Sequence, residues 1–360
     1  MEAHAGFTTL MALRAKAGEL AALRALVRPA QVRRVQPLLQ FDPGRKNPAD
    51  QLADVEQIAR HLHRLGRRCW IDASDVADQP GFGAGGALGR LADHLAGPAD
   101  LLDEDWPVAF VPVVRSDATE QSAAALGRLG AELGAGAAVR IRPGTADRDT
   151  LGRIIERLGL EPGDIHIVVD LQYVAEATTA RVEGAAAILT ALTEVGTFGS
   201  TTLLTGSIPK TLGQTATWEQ PRAEEVLWER LVRAGAGHLR FGDYGAVHPV
   251  PGPGFGSKHV ALKYTCPHRW LYSRERMPDE NGGEPARGRA LRVVCRRVTE
   301  SAGYAGPDFS WGDGEIHAVA AGAGTALGDT SKPVAFATSH HLAYLATRAA
   351  SSSSPRSPTA

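Results

Sequence analysis

The chain has 360 residues, 43% of them hydrophobic, enough to bury the core of one large α/β domain with an appendage, or of two domains. Lys plus Arg (39) nearly balances Asp plus Glu (40), which excludes the broad positive field of a general nucleic-acid binder or a membrane-surface protein and leaves room only for a local basic groove. Cys69, Cys266 and Cys295 form no CxxC pair and no metal-type spacing, so they read as free thiols of a reducing cytoplasm.

The first strand is expected at Thr9 to Leu13, followed by a helix over Lys16 to Leu26 with apolar residues at helical spacing. A second strand, Val35 to Phe41, closes on Asp42-Pro43-Gly44, and the helix Asp54 to Leu65 ends at Gly66, as a C-cap requires. The third strand, Cys69 to Ala73, carries Asp72. A Gly-rich loop, Gly81 to Gly86, leads to a helix over Leu88 to Ala96, and the fourth strand is Val108 to Val114 with Arg115 after it. That loop lacks a following Lys-Ser/Thr and does not start at the first strand, so it reads as a linker rather than a phosphate loop.

Thr119 to Leu133 opens on an N-cap, Asp117 or Thr119, and runs to Gly134. Strand five is Ala137 to Ile141, followed by the helix Asp149 to Leu158. Strand six, Ile165 to Leu171, is apolar on both faces up to Asp170, as a strand covered by helices on both sides must be. The helix Thr179 to Val195, strand seven (Thr201 to Thr205), the helix Glu224 to Ala234 and strand eight (His238 to Phe241) complete the series. The count and order are those of a (β/α)8 TIM-like barrel of about 250 residues, placed at 8–245. A doubly wound open sheet is the alternative, and the absence of a GxGxxG after the first strand favours the barrel.

Beyond Tyr244, a rigid connector over Val247 to Gly256 leads into a C-terminal α+β extension at 258–350, expected to pack on the barrel. His259 to Tyr264 pairs with Trp270 to Arg274 across Cys266-Pro267-His268. A polar loop (Asp279 to Gly288), a helix (Ala290 to Ser301), a turn (Asp308 to Asp313) and two more helices (Glu315 to Gly322, Ser339 to Ala350) follow. The tail from Ser351, at 351–360, is Ser/Pro-rich and expected to be disordered. The N-terminus has no signal pattern and no stretch approaches the roughly 18 apolar residues of a membrane helix, so the expectation is a cytoplasmic protein without a membrane partner.

Several segments, in order, resemble the beta protein family of bacteriophage and bacteria: LRAKAGEL (Leu13 to Leu20), Leu38-Leu39-Gln40-Phe41, the strand ending in Asp170, FGDYG (Phe241 to Gly245), Lys263 to Thr265 with Trp270 to Tyr272, FSWGD (Phe309 to Asp313) and TSHHL (Thr338 to Leu342). That resemblance implies a single unit and a phage or mobile-element setting, without an activity. The asparagine usual before the paired histidines is Ser339 here.

A barrel gathers its strand ends on one rim. That rim would hold Lys16, Glu19, Gln40, Asp42, Asp72, Arg115, Arg140, Arg142, Asp170, Gln172, Ser207, Asp243 and Tyr244. Arg140 and Arg142 share a pleat face and could grip one phosphate or carboxylate. Asp170 and Asp243 are the expected metal ligands or acid/base groups, with a divalent metal as the cofactor they would hold, and Lys16 the third member of the catalytic set. Gln40, Asp72, Gln172, Ser207 and Tyr244 would line the ligand. His340 and His341 diverge by about 100° on a helix, so one of them, His340, is assigned to the rim. Ser207 lacks a GxSxG elbow, and Trp270 and Trp311 read as core anchors. The function expected is a phage- or defence-associated protein binding a small anionic or phosphorylated ligand at the carboxyl rim, with hydrolysis as its reaction. The alternative is a non-catalytic partner that binds a macromolecule, a protein rather than nucleic acid.

Overall fold

The computed structural model describes residues 7–45, 47–82, 85–100, 105–145, 147–250, 252, 257–278, 284–324 and 327–352. Its strands are β1 (Thr9–Arg14), β2 (Val35–Gln40), β3 (Trp70–Asp72), β4 (Val111–Arg115), β5 (Ala137–Ile141), β6 (Ile165–Tyr173), β7 (Ser200–Gly206), β8 (Thr217–Pro221), β9 (Arg240–Asp243), β10 (His259–Cys266) and β11 (Arg269–Arg276). The helices are α1 (Ala17–Arg24), α2 (Pro29–Arg34), α3 (Pro48–Arg64), α4 (Gly86–Leu95), α5 (Glu120–Glu132), α6 (Arg148–Leu158), α7 (Thr179–Val195), α8 (Ala223–Arg233), α9 (Glu284–Thr299), α10 (Trp311–Ala320) and α11 (Lys332–Ser352).

Strands β1 to β7 and β9 close into one parallel barrel. Closure is explicit, because β9 pairs with β7 on one side and with β1 on the other, Thr9 opposite Phe241 and Met11 opposite Asp243. The open sheet is thereby excluded. The apolar runs carry two faces each. Leu10, Ala12, Leu38, Trp70, Val113, Ala138, Val168 and Leu204 fill the barrel interior, while their neighbours Met11, Leu39, Ile71, Val139, Ile167 and Leu203 pack under the helices. Each fully buried aliphatic chain contributes roughly 1.5–3 kcal/mol.

Local signals set the helix ends. The side chain of Asn47 caps α3 at Ala49 N, with Pro48 in the first turn, so the helix begins ahead of the expected Asp54. Thr119, not Asp117, caps α5. The short α2, opened by Pro29, was not expected. Gly81 to Phe82 belongs to a 3-10 turn and Gly86 opens α4; Gly83 and Ala84 of the expected linker lie outside the described residues. The expected polar loop is helical from Glu284, its earlier part lying outside the described residues. The tail begins later than Ser351, which with Ser352 ends α11, and the rest of it is likewise outside.

The extension is built on an antiparallel sheet of order β10-β11-β8. Strand β8 comes from within the stretch read as barrel, so the boundary at 245 is not clean. One sheet face, with Leu262, Tyr264, Cys266 and Leu271, packs against Leu291, Val294, Val298 and Ile316 of α9 and α10. The other carries Lys263, Thr265, Trp270, Tyr272, Trp218 and Gln220, aligned by register. Thr265 reaches His341 beside Asp243, and Trp270 reaches Ser207. This face therefore lies over the carboxyl ends of the barrel strands. Among the described residues, no helix is long and apolar enough to cross a membrane.

Candidate functional site

The strand alternation that points Ala138 into the barrel also points Arg140 inward, where it is 2% exposed. Its Nε donates to Asp170 Oδ2 at 2.9 Å, Nη1 to Asp72 Oδ2 at 2.7 Å and Nη2 to the Tyr244 hydroxyl at 2.7 Å. Tyr244 in turn donates to Asp170 Oδ1 at 2.5 Å. Arg115 adds an ion pair at 3.5 Å to Asp72 and another at 2.7 Å to Asp75. Burial pushes the Asp72 carboxyl up, but Arg140 and Arg115 outweigh it and hold it below the usual carboxylate range. Burial raises the Tyr244 hydroxyl, which stays neutral.

The expected clamp is thus occupied by the protein itself. Arg142, with a side chain 35% exposed, stands 3.9 Å from the same Asp170 Oδ2 that Arg140 holds. The two forks do converge on one anion, and that anion is Asp170. Asp170 also accepts from Gln172 N at 2.9 Å across a bulge in β6, where Gln172 sits at φ 55. A non-glycine residue in the left-handed region costs about 1–2 kcal/mol, and here it accompanies the shift of register by which Gln172 and Tyr173 pair with Thr205 and Gly206.

Asp243 precedes Tyr244 and faces the opposite way, outside the barrel wall. It accepts from Arg222 Nη2 at 2.9 Å and from His341 Nε2 at 2.8 Å. Arg222 also donates from Nε to Glu224 Oε1 at 2.9 Å and pairs with Glu225 at 3.3 Å. Burial lowers His341 more than Asp243 raises it, so the ring is neutral at pH 7, its Nε2–H on Asp243 and its Nδ1 accepting from the Thr265 hydroxyl at 2.6 Å. Asp170 and Asp243 therefore do not converge on one ligand, and with a guanidinium on each carboxylate neither fits a shared divalent metal. Among the described residues the side chains close enough to share a cation are Glu225, Glu229 and His268, none of them expected.

His340 does not reach the rim either. Its Nδ1 meets Asp313 Oδ2 at 2.9 Å and its Nε2 the Thr265 carbonyl at 2.8 Å. The adjacent histidines diverge as expected, yet both end on Thr265. Ser207 is buried, accepting from Trp270 Nε1 at 3.2 Å. Of the remaining expected residues, Gln40 is buried at the end of β2 in register with Asp72, and Lys16, 42% exposed, pairs with Asp42 at 3.5 Å.

Between the sheet and the barrel mouth lies a second cluster, of which only Glu19 and Lys16 were expected. Glu19 sits buried in the first turn of α1; burial lifts its carboxyl to about 7, against the pull of Arg14. Lys263, from the overlying sheet, is half-buried; desolvation lowers its amine to about 8, with Glu19 opposing. Arg14 ends β1 and ties down the chain after β9 through the carbonyls of His248 and Pro249, each at 2.8 Å. Tyr272, opposite Lys263 in the β10–β11 register, is buried with a hydroxyl that meets no partner among the described residues, near Glu224 and Tyr173. Arg14, Lys263 and Tyr272 stand inside segments that carry the family resemblance, yet nothing there assigned them to a site, because their meeting depends on how the extension folds back. The one signal at Arg222 was its spacing to Glu224 and Glu225 at a helix start.

These features define the class: a TIM-like parallel barrel whose carboxyl-end mouth is roofed by an antiparallel sheet, with polar groups on both surfaces. The chain belongs to the Beta protein family, whose model matches residues 11–347. No curated protein matches it. Among solved structures it is similar to the catalytic domain of a mannanase from Streptomyces sp. SirexAA-E, at 15% identity and TM-score 0.35 over 63% of this chain and 70% of that one. It is also similar to AQ1208 from Aquifex aeolicus, at 16% identity and TM-score 0.30 over 65% and 57% respectively.

Proposed function

We propose that the roofed mouth binds a small anionic or phosphorylated ligand between Lys263 of the sheet and Arg14, Lys16 and Arg142 of the rim, and that it hydrolyses that ligand. What supports this reading is the placement of Lys263 on the overlying sheet where it feels the charge of Glu19 from α1, with burial raising the Glu19 carboxyl and lowering the Lys263 amine. A carboxyl near 7 and an amine near 8 are suited to passing a proton at physiological pH, and the cations beside them to holding negative charge. Gln40 and Gln172 line the approach. A phage- or defence-associated role is part of the proposal and rests on the family resemblance alone.

The test is a panel of phosphorylated compounds assayed by thermal shift and for phosphate release. At least one should stabilise the wild type, with binding weakened about tenfold in Lys263→Met and in Arg142→Ala. If no compound stabilises the wild type, or both variants bind as well as it does, the reading fails. Affinity should also fall as pH rises from 7 to 9, since Glu19 gains charge and Lys263 loses it.

A second reading, a protein-binding role without catalysis, is favoured by a groove of about 410 Å³ between the α1–α2 corner and α10. Val27, 68% exposed, and Trp311, 39% exposed, flank it.

A further inference from the structure

The tip of the β10–β11 hairpin, Pro267 and His268, docks on α8, outside the barrel wall. His268 turns the chain there at φ 60, and its carbonyl accepts from Arg222 N at 3.0 Å, which seats the tip at the start of the helix. Glu225 and Glu229 stand one helical turn apart on α8 and so share a face of it. His268 Nδ1 lies 3.3 Å from Glu225 Oε1 and 4.0 Å from Glu229 Oε1. The three side chains bring one ligand atom each within 4.8 Å of one another.

Two features set this trio apart from a plain ion pair. The first is its spacing. A charged N–H···O hydrogen bond closes to about 2.7–2.9 Å, whereas bonds of about 2.0–2.1 Å from a tetrahedral zinc ion hold neighbouring ligand atoms about 3.3 Å apart. The distance from Nδ1 to Glu225 Oε1 is 3.3 Å, the edge of that tetrahedron, and a small rotation of the half-buried Glu229 brings its oxygen to the same separation. The second is the way each carboxylate is held. Glu225 Oε2 stands 3.3 Å from Arg222 Nη1, and Glu229 Oε2 accepts from Arg233 Nη2 at 3.0 Å. Each acid thus gives one oxygen to a guanidinium and turns the other toward His268, as outer partners orient a ligating carboxylate. At Asp170 and Asp243, by contrast, both oxygens accept hydrogen bonds from the protein.

We infer that Glu225, Glu229 and His268 form a zinc site that clasps the roof hairpin to α8 of the barrel. Glu225 Oε1, Glu229 Oε1 and His268 Nδ1 are the protein ligands. His268 is exposed, so the site borders solvent and water supplies the fourth ligand. Two carboxylates balance the double charge of the ion, which also relieves their repulsion across one turn of helix. The ring nitrogen selects zinc over the hard cations magnesium and calcium. The site shares no residue with the roofed mouth and does not rest on the anion-binding reading.

Zinc titration by calorimetry tests it, on the untagged full chain stripped with chelator and dialysed. The expected result is uptake of one zinc per chain, with a Tm that rises with zinc concentration. His268→Asn and Glu229→Gln, both away from the buried core, should each weaken zinc binding at least about 100-fold, since losing a ligand costs more than the about 10–100-fold lost with an outer partner. His94→Asn, which removes the exposed partner of Glu56, should leave it unchanged. The inference is overturned if the stripped protein takes up no zinc, if magnesium binds as tightly as zinc, if either His268→Asn or Glu229→Gln binds zinc like the wild type, or if His94→Asn is the variant that loses it.

Discussion

Asp243 and Tyr244 are consecutive, yet they join two different buried charge networks on opposite sides of the barrel wall. Inside, Arg140 is surrounded by Asp72, Asp170 and Tyr244, and both carboxylates have a further cation at hand, Arg115 for Asp72 and Arg142 for Asp170. Outside, Arg222 faces Asp243, Glu224 and Glu225 together, within a ring of Phe241, Trp270 and Tyr344. The inner network draws on barrel strand ends and sets the floor of the mouth. The outer one draws on α8, β9, β10, β11 and α11, and so fastens the roof to the wall. Similar chemistry serves as a plug in one place and as a joint in the other.

The comparison makes its sharpest claim at the outer guanidinium. Arg222→Met removes the guanidinium shared by three buried carboxylates, and should cost about 4–5 kcal/mol in urea unfolding. It should also make the segment after 257 newly sensitive to protease. Arg140→Met should cost less, about 3 kcal/mol, since Arg115 and Arg142 still attend the acids it abandons. A larger loss for Arg140→Met than for Arg222→Met would reverse the assignment of plug and joint. The smallest effect sharpens rather than breaks the picture, and concerns the space between the two networks. The folded pKa of Glu19 is raised, so the native state binds more protons than the unfolded one between about pH 4.5 and 7, and stability must fall as pH rises through that window. Glu19→Gln should remove that slope, worth up to about 3 kcal/mol at the rate of about 1.4 per unit. An unchanged pH profile in Glu19→Gln would show that the carboxyl is not held near neutrality.

Much of the barrel was legible because its strands advertise themselves. Ile165 to Val169 is apolar on both faces, and each run stops at a polar strand end. Strand β8 escaped because TWEQP is polar and half-exposed, with Pro221 at its edge; only its pairing with β11 makes it a strand. At the site, Asp170, Arg140, Asp72 and Tyr244 meet through hydrogen bonds at the strand ends, as alternate residues of a strand sharing a face allow. Asp243 was expected to join them and does not, because the offset of one residue that sends it outward cannot be fixed without knowing where β9 starts. The mouth cations Arg14 and Lys263 lie far apart in the chain, and no local pattern links β1 to β10. The family motifs were legible as motifs, though not as a joint: FGDYG, SWGD and HH meet through Asp243, Asp313 and Thr265, where they fasten the extension to the barrel.

The early position of β8 has a consequence for how the molecule is made. A ribosome releases Thr217–Pro221 before β9 can close the barrel and well before β11, its pairing partner, begins at Arg269. Until then a strand with Trp218 on it waits unpaired beside an unfinished barrel. Closure of the wall and assembly of the roof are therefore threaded together in time, and a chain halted near residue 250 would be left with a bare edge open to pairing with another nascent copy.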